Sequence, residues 1–90
     1  MAKFYYVYVL RSRRDNRFYI GSTADLRKRY HMHNSGLISS TRPRRPFDLC
    51  FYEAYRNQKD AKRREKYFKT TKGKSVLRTM LREHLSQLVP

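Results

Sequence analysis

The sequence predicts an α+β domain in which a small three-stranded antiparallel β-sheet is flanked by three helices, in the order β-β-α-β-α-α. Aromatic and β-branched residues concentrate in three short runs, "KFYYVYVLRS", "RFYIG" and "DLCFYEAY". Between and after these runs, capping residues and glycines bound segments whose apolar residues return at helical spacing. An apolar content of 39%, with eight tyrosines and five phenylalanines, is enough for one core and argues against disorder. Ninety residues fit a single domain over residues 1–90, so any active site has to be assembled from nearly the whole chain.

In the first run, Phe4, Tyr6, Tyr8 and Leu10 fall on one face and Tyr5, Val7 and Val9 on the other. Apolar residues on both sides mark a central strand. Asp15 and Asn16 supply turn chemistry before "RFYIG" resumes the β pattern, so residues 4 to 21 read as a hairpin. Ser22 or Thr23 is then expected to cap a helix over about residues 24 to 35, with Asp25 at the positive end of its dipole and Gly36 as its stop. Leu26 and Tyr30 mark the inward stripe of that helix, and at about 100° per residue Arg29 and His33 fall beside it, toward the sheet edge. "LISSTRPRRPF", with two prolines and no periodicity, reads as a strongly basic loop. After the third strand, Asn57 is placed to cap a helix through "QKDAKRREKYFKTTK" that Gly73 stops, with Ala61, Glu65 and Phe68 on one face. Val76, Leu77, Met80, Leu81, Leu85 and Leu88 recur at helical spacing and predict a last amphipathic helix capped by Ser75.

Twenty-two Lys and Arg against seven Asp and Glu give a formal net charge of +15, which points to a polyanionic partner. Nucleic acid fits better than a membrane, because no apolar run approaches the roughly 20 residues of a spanning helix. The opening "MAKFYYVYVLRSRR" lacks the order of a signal peptide, so a cytoplasmic location is expected. The lone Cys50 has no partner for an internal disulfide or a zinc cluster and reads as a small core residue.

Tyr8 and Tyr19 belong to paired strands, which can bring them side by side on one face; a phenol is a donor, an acceptor and, once deprotonated, a base. The alternative is that both simply pack. Arg29 and His33, four residues apart on one helix, can offer a fixed charge and a titratable ring to one phosphate, or can belong to a solvated basic helix beside Arg27, Lys28 and His31. Glu65 lies on the apolar stripe, where an unpaired charge is costly, so a cation must meet it. An arginine would satisfy it, and so would Mg²⁺, which accepts one carboxylate together with waters and phosphate oxygens. The five residues make a plausible phosphodiester-cleaving set, with one carboxylate implying one metal ion.

Tyr6-Val7-Tyr8, Tyr19-Ile20-Gly21, Arg29, His33 and Glu65, in this order, resemble the GIY-YIG nuclease domain, and the chain is similar to the small stand-alone UPF0213-type members of that superfamily. The resemblance covers nearly the whole chain. It implies a GIY-YIG endonuclease-like fold in which Tyr8 and Tyr19 flank the attacking water, with Tyr8 favoured as general base. It implies further that Arg29 binds the scissile phosphate, that His33 carries a proton or contacts phosphate, and that Glu65 holds a single divalent ion, Mg²⁺ or Mn²⁺. Gly21 would let the chain turn sharply into the helix. Tyr6 stands where the first motif opens with glycine, and after Glu65 the only side-chain amide is Gln87.

The function expected from these observations is metal-dependent endonucleolytic hydrolysis of DNA with branched, damaged or otherwise repair-like structure, in repair or recombination. RNA is the alternative nucleic-acid partner, and a protein partner that supplies substrate targeting is compatible with so small a chain. The competing class is a non-catalytic basic module whose tyrosines stack on bases while its lysines and arginines track phosphates. A ribosome- or RNA-associated structural role also suits the charge but leaves the position of Glu65 unexplained.

Overall fold

The computed structural model describes residues 3–87. The chain runs through β1 (Tyr5–Ser12), β2 (Phe18–Thr23), α1 (Leu26–Ser35), a 3₁₀ turn at Arg42–Arg44, β3 (Phe47–Tyr55), α2 (Gln58–Phe68), α3 (Thr71–Met80) and α4 (Arg82–Ser86). The sheet has the order β2-β1-β3 with both neighbours antiparallel, so the first strand is central, as its two apolar faces predict. Asn16 closes the β1–β2 turn at a φ of 62°, a left-handed conformation that asparagine tolerates.

Strand alternation distributes the core between two layers. Val7, Val9 and Ile20 face Ala61, Phe68, Leu77 and Leu81 of the α2–α4 layer. Tyr8, Leu10 and Phe47 face the other way, toward Leu26 and Tyr30 of α1. The register on β3 shifts once: Val9 pairs with Phe51 and Leu10 with Leu49, which leaves Cys50 as the extra residue of a bulge. Cys50 is half-buried against the α2-side core, and burial pushes its thiol pKa up, consistent with a packing role.

Helix boundaries differ from the sequence expectation in four places. Ser22 and Thr23 do not cap α1, because β2 continues through both by pairing with Val7 and Tyr6. Asp25 is the N-cap instead, its carboxylate accepting the Lys28 amide at 3.0 Å, and Gly36 closes the helix in a left-handed conformation. At α2, Asn57 caps as expected, accepting the Lys59 amide at 2.8 Å, but the helix ends at Phe68 rather than at Gly73. Thr70 caps α3 by accepting the Gly73 amide at 3.0 Å, so Ser75 lies inside that helix. The segment expected as one final helix divides at Leu81 into α3 and α4; Leu88 lies outside the described residues.

Gly73 therefore does not stop a helix. It sits in the first turn of α3 where the end of α2 passes so close that an added Cβ would lie 1.9 Å from the Tyr67 carbonyl oxygen. The basic loop is also better tied than its composition implies. Arg42 donates to the Gly36 carbonyl at 2.8 Å, and Arg44 pairs with Asp15 at 2.8 Å while reaching the Phe18 carbonyl.

Helix propensity alone predicts that Gly73→Ala stabilises α3 by up to about 1 kcal/mol. The steric contact predicts the opposite sign, a loss of about 1–3 kcal/mol or more from overpacking. Urea unfolding of the variant decides between them, and a midpoint at or above that of the parent protein would refute the close approach.

Candidate active site

Tyr8 points from the central strand to the α1 side, and its cross-strand neighbour on β2 is Gly21. The phenol lies directly over that glycine: an added Cβ would fall 2.5 Å from the Tyr8 hydroxyl oxygen and 2.6 Å from the ring carbon that bears it. Gly21 thus makes room for Tyr8 within β2, whereas a sharp turn into the helix had been expected of it. Tyr19 shares the same sheet face, half-buried, with its ring centroid 6.3 Å from that of Tyr8. The alternation of the two strands brings the phenols together as predicted.

The structure moves His33 from the sheet edge into the core. Its side chain is fully buried, the ring lying 4.8 Å from Tyr19 and 6.0 Å from Phe47 by centroid. Nε2 is 2.9 Å from the Tyr8 hydroxyl and Nδ1 is 2.9 Å from Oγ1 of Thr41, which is buried as well. One tautomer satisfies every group in this network: Nδ1–H donates to Thr41 Oγ1, whose own proton can turn toward the Ile38 carbonyl, and Nε2 accepts from the Tyr8 hydroxyl.

Burial, reinforced by the Arg29 charge one turn away, lowers the His33 pKa to about 4, so the ring is neutral near pH 7. Burial also pushes the Tyr8 phenol well above its ordinary value; Tyr19 adds to the rise and the Arg29 guanidinium opposes it. Arg29 itself is half-buried, while His31 on the same helix is exposed and takes no part.

Glu65 approaches from the other side of the sheet. Its side chain retains 16% exposure on the inner face of α2, between Ala61 and Phe68 as expected. The cations that meet it are lysines, not the anticipated arginine: Lys69 at 2.8 Å and Lys62 at 3.7 Å. Arg64, the nearest arginine on the helix, turns instead to Glu53 at 2.9 Å. Ser22 donates to the second carboxylate oxygen at 2.6 Å. Since Ser22 pairs with Val7, it projects to the α2 side, opposite Tyr8.

The two groups lie on opposite faces of the sheet, with β2 as the outer strand at its edge. A cleft of about 460 Å³ opens over that edge, with Lys28 and Arg29 of α1 on one wall and Ser22, Gln58 and Lys62 on the other. The Glu65 charge adds to the rise of the Tyr8 pKa, but less than burial and Tyr19 do. Desolvation would raise the Glu65 pKa, but the hydrogen bonds from Lys69 and Ser22 outweigh it and keep the carboxylate ionised.

Among the described residues no three His, Cys, Asp or Glu side chains gather in a metal-binding group. The donor set fits a hydrated divalent cation held by one carboxylate plus water and phosphate oxygens, and does not fit an all-protein cage. Lys69 and Lys62 are 54% and 60% exposed, so burial does not fix either lysine beside the carboxylate.

Two hydrogen-bond partners of the candidate residues, Thr41 and Ser22, are not legible in the sequence. Thr41 falls in a segment without periodicity, and Ser22 reads from local chemistry as a candidate helix cap. No local pattern marks either, since each is defined by a partner far along the chain. Gln87, the one late side-chain amide, is exposed at the end of α4.

An NMR titration of the imidazole ring protons is expected to give His33 a midpoint near 4, against an ordinary value near 6.5. Because the folded pKa is the lower one, the unfolded chain binds more protons between these values. The His33 contribution to stability is therefore intact above about pH 6.5 and declines as pH falls toward 4. Thr41→Val removes the Nδ1 partner, and a His33 midpoint unchanged by that substitution would contradict the network.

Comparison with known proteins adds the kinship. The GIY-YIG catalytic domain profile matches residues 4–80. A UPF0213 protein of Bacillus pumilus is 42% identical over 67 residues, spanning 73% of this chain and 67% of that protein. Another from Pediococcus pentosaceus is 36% identical over 83 residues, 91% of this chain and 86% of the relative. The solution NMR structure of the UPF0213 protein BH0048 from Bacillus halodurans superposes with a TM-score of 0.55 at 32% identity, covering 86% of this chain and 84% of that one. With the predicted sheet and motif order in place, these matches establish that the chain belongs to the GIY-YIG nuclease superfamily, among its UPF0213 members.

Proposed function

We propose that the protein is a divalent-metal-dependent DNA endonuclease that hydrolyses phosphodiester bonds in structured or damaged DNA, serving repair or recombination either alone or targeted by a protein partner. The observation that supports this most is the buried Tyr8–His33–Thr41 hydrogen-bond chain, next to Arg29 and around one strand edge from an ionised Glu65. The net charge of +15 supplies the attraction to a polyanion.

In this reading the scissile phosphate enters the cleft over β2. Arg29 on its wall stabilises the charge that develops on the phosphate oxygens. A water adds to phosphorus and passes its proton to the Tyr8 oxygen while the Tyr8 proton moves to His33 Nε2, and the phosphorus–oxygen bond to the leaving nucleoside breaks. The leaving oxygen is then protonated from solvent. The raised Tyr8 pKa means that no phenolate forms in advance, so the proton has to leave for His33 as the water attacks. A bound phosphate raises the basicity of His33 by offsetting the Arg29 charge, which favours that transfer. Thr41 keeps the imidazole in the accepting tautomer, and Tyr19 positions the water. Glu65 would hold the cation, Mg²⁺ or Mn²⁺, whose Lewis acidity polarises the phosphate.

One observation favours the non-catalytic reading, a basic nucleic-acid-binding module: the Glu65 carboxylate is already satisfied by Ser22 and Lys69. Cleavage assays separate the two. Tyr8→Phe is expected to slow metal-dependent nicking of branched and linear DNA by about 10²–10⁴-fold, with DNA affinity nearly unchanged. Glu65→Ala is expected to abolish the response to added metal. Nicking by both variants at the parental rate would rule out the hydrolytic scheme.

A further inference from the structure

The face of the sheet that presents Tyr8 is not fully covered by α1. The helix packs over Leu10, Phe47 and Tyr19, while the other end of the face, bearing Tyr6 and Tyr52, is left open. Strand register places Tyr52 opposite Tyr8 on β3, and Tyr6 follows Tyr8 at the two-residue repeat of β1. A cleft of about 470 Å³ occupies this end, lined by Tyr6, Tyr30, Leu49 and Tyr52, with Arg27 also on its wall. Tyr6 and Tyr52 pack edge to face with centroids 6.0 Å apart, yet Tyr52 remains 52% exposed, a large aromatic surface left in water.

Two features identify what fills it. The cleft adjoins the one over β2, since Ala24 and Asp25 line both. From Asp25 to Arg29 the helix advances only about 6 Å, which is comparable to one nucleotide of an extended strand. The lining also combines the exposed Tyr52 ring and the half-buried Tyr6 ring with an arginine, the pairing that binds the π-face of a base and its phosphate. We propose that Tyr6 and Tyr52 form a subsite for one unpaired nucleobase of the nucleic acid whose backbone lies in the adjoining cleft. This rests on the reading of that cleft as a phosphate site. The subsite selects strands in which a base is free to leave the stack, such as those beside a bulge or an abasic position, because only an unstacked base reaches the sheet face.

The test uses equilibrium binding of the full chain in EDTA, where no turnover occurs, to three duplexes of equal length. One is fully paired, one carries an unpaired 2-aminopurine opposite an abasic position, and one has abasic positions on both strands there. The parent protein is expected to bind the 2-aminopurine duplex about tenfold more tightly than the other two and to quench its fluorescence. Tyr52→Ala is expected to lose both the preference and the quenching while keeping its affinity for the paired duplex. Tyr52→Phe, which keeps the ring, is expected to retain both and serves as the check on folding. Equal binding of all three duplexes by the parent protein, or equal weakening of all three by Tyr52→Ala, would overturn the subsite. If the base preference is present but the parent protein does not cleave DNA with metal, the subsite stands and the endonuclease reading fails.

Discussion

Because Gly21 has no side chain, the Tyr8 phenol can lie across the neighbouring strand, and its hydroxyl comes to rest 2.9 Å from a histidine on the helix above. The rest of the site is arranged around this contact. A bulkier residue at position 21 would lift Tyr8 off the sheet, and the buried imidazole would lose the donor that satisfies Nε2. An orphaned buried polar atom costs about 1–3 kcal/mol, a large fraction of the stability of so small a domain. The glycine, the tyrosine and the histidine therefore act as one structural unit.

Burial sets the electrostatics of that unit. It holds His33 neutral and Tyr8 protonated near pH 7, the states that the proposed proton transfer starts from. Arg29 modulates both groups at once, depressing the imidazole and partly offsetting the rise of the phenol. Glu65 works under the opposite regime: it stays ionised in a half-buried position because Ser22 and Lys69 donate to it. The edge strand β2 separates the two regimes, with neutral groups on one face and the carboxylate on the other.

The large positive charge is not spent uniformly. Arg42, Arg44 and Arg64 are committed to backbone carbonyls or acidic partners and hold the fold together. Arg64 also stacks over Phe68, 4.3 Å from the ring centroid, so its removal would cost packing as well as charge. Lys28, Lys62 and the half-buried Arg29 instead line the cleft. Exposed pairs such as Arg63–Asp60 add little to stability, so the surface lysines and arginines remain available to phosphates.

Much of this protein was legible in the sequence. Two-residue alternation in the first strand assigned its faces, and the caps Asn57 and Gly36 were read correctly. The proximity of Tyr8 and Tyr19 and the inward position of Glu65 followed from the same periodicities, which depend only on local backbone geometry. What the sequence did not reveal depends on partners brought together by folding. Tyr8 and His33 are 25 residues apart and Ser22 and Glu65 are 43 apart, and no periodicity encodes such pairs. The same is true of Gly73, read as a helix stop from local chemistry but required by the passage of α2 against its Cα. Composition and spacing determined which residue types were available and which face each would occupy. Tertiary packing alone decided that His33 is buried and neutral, that lysines meet Glu65, and that one end of the tyrosine-bearing face stays open, because burial and hydrogen-bond pairing are properties of three-dimensional neighbours.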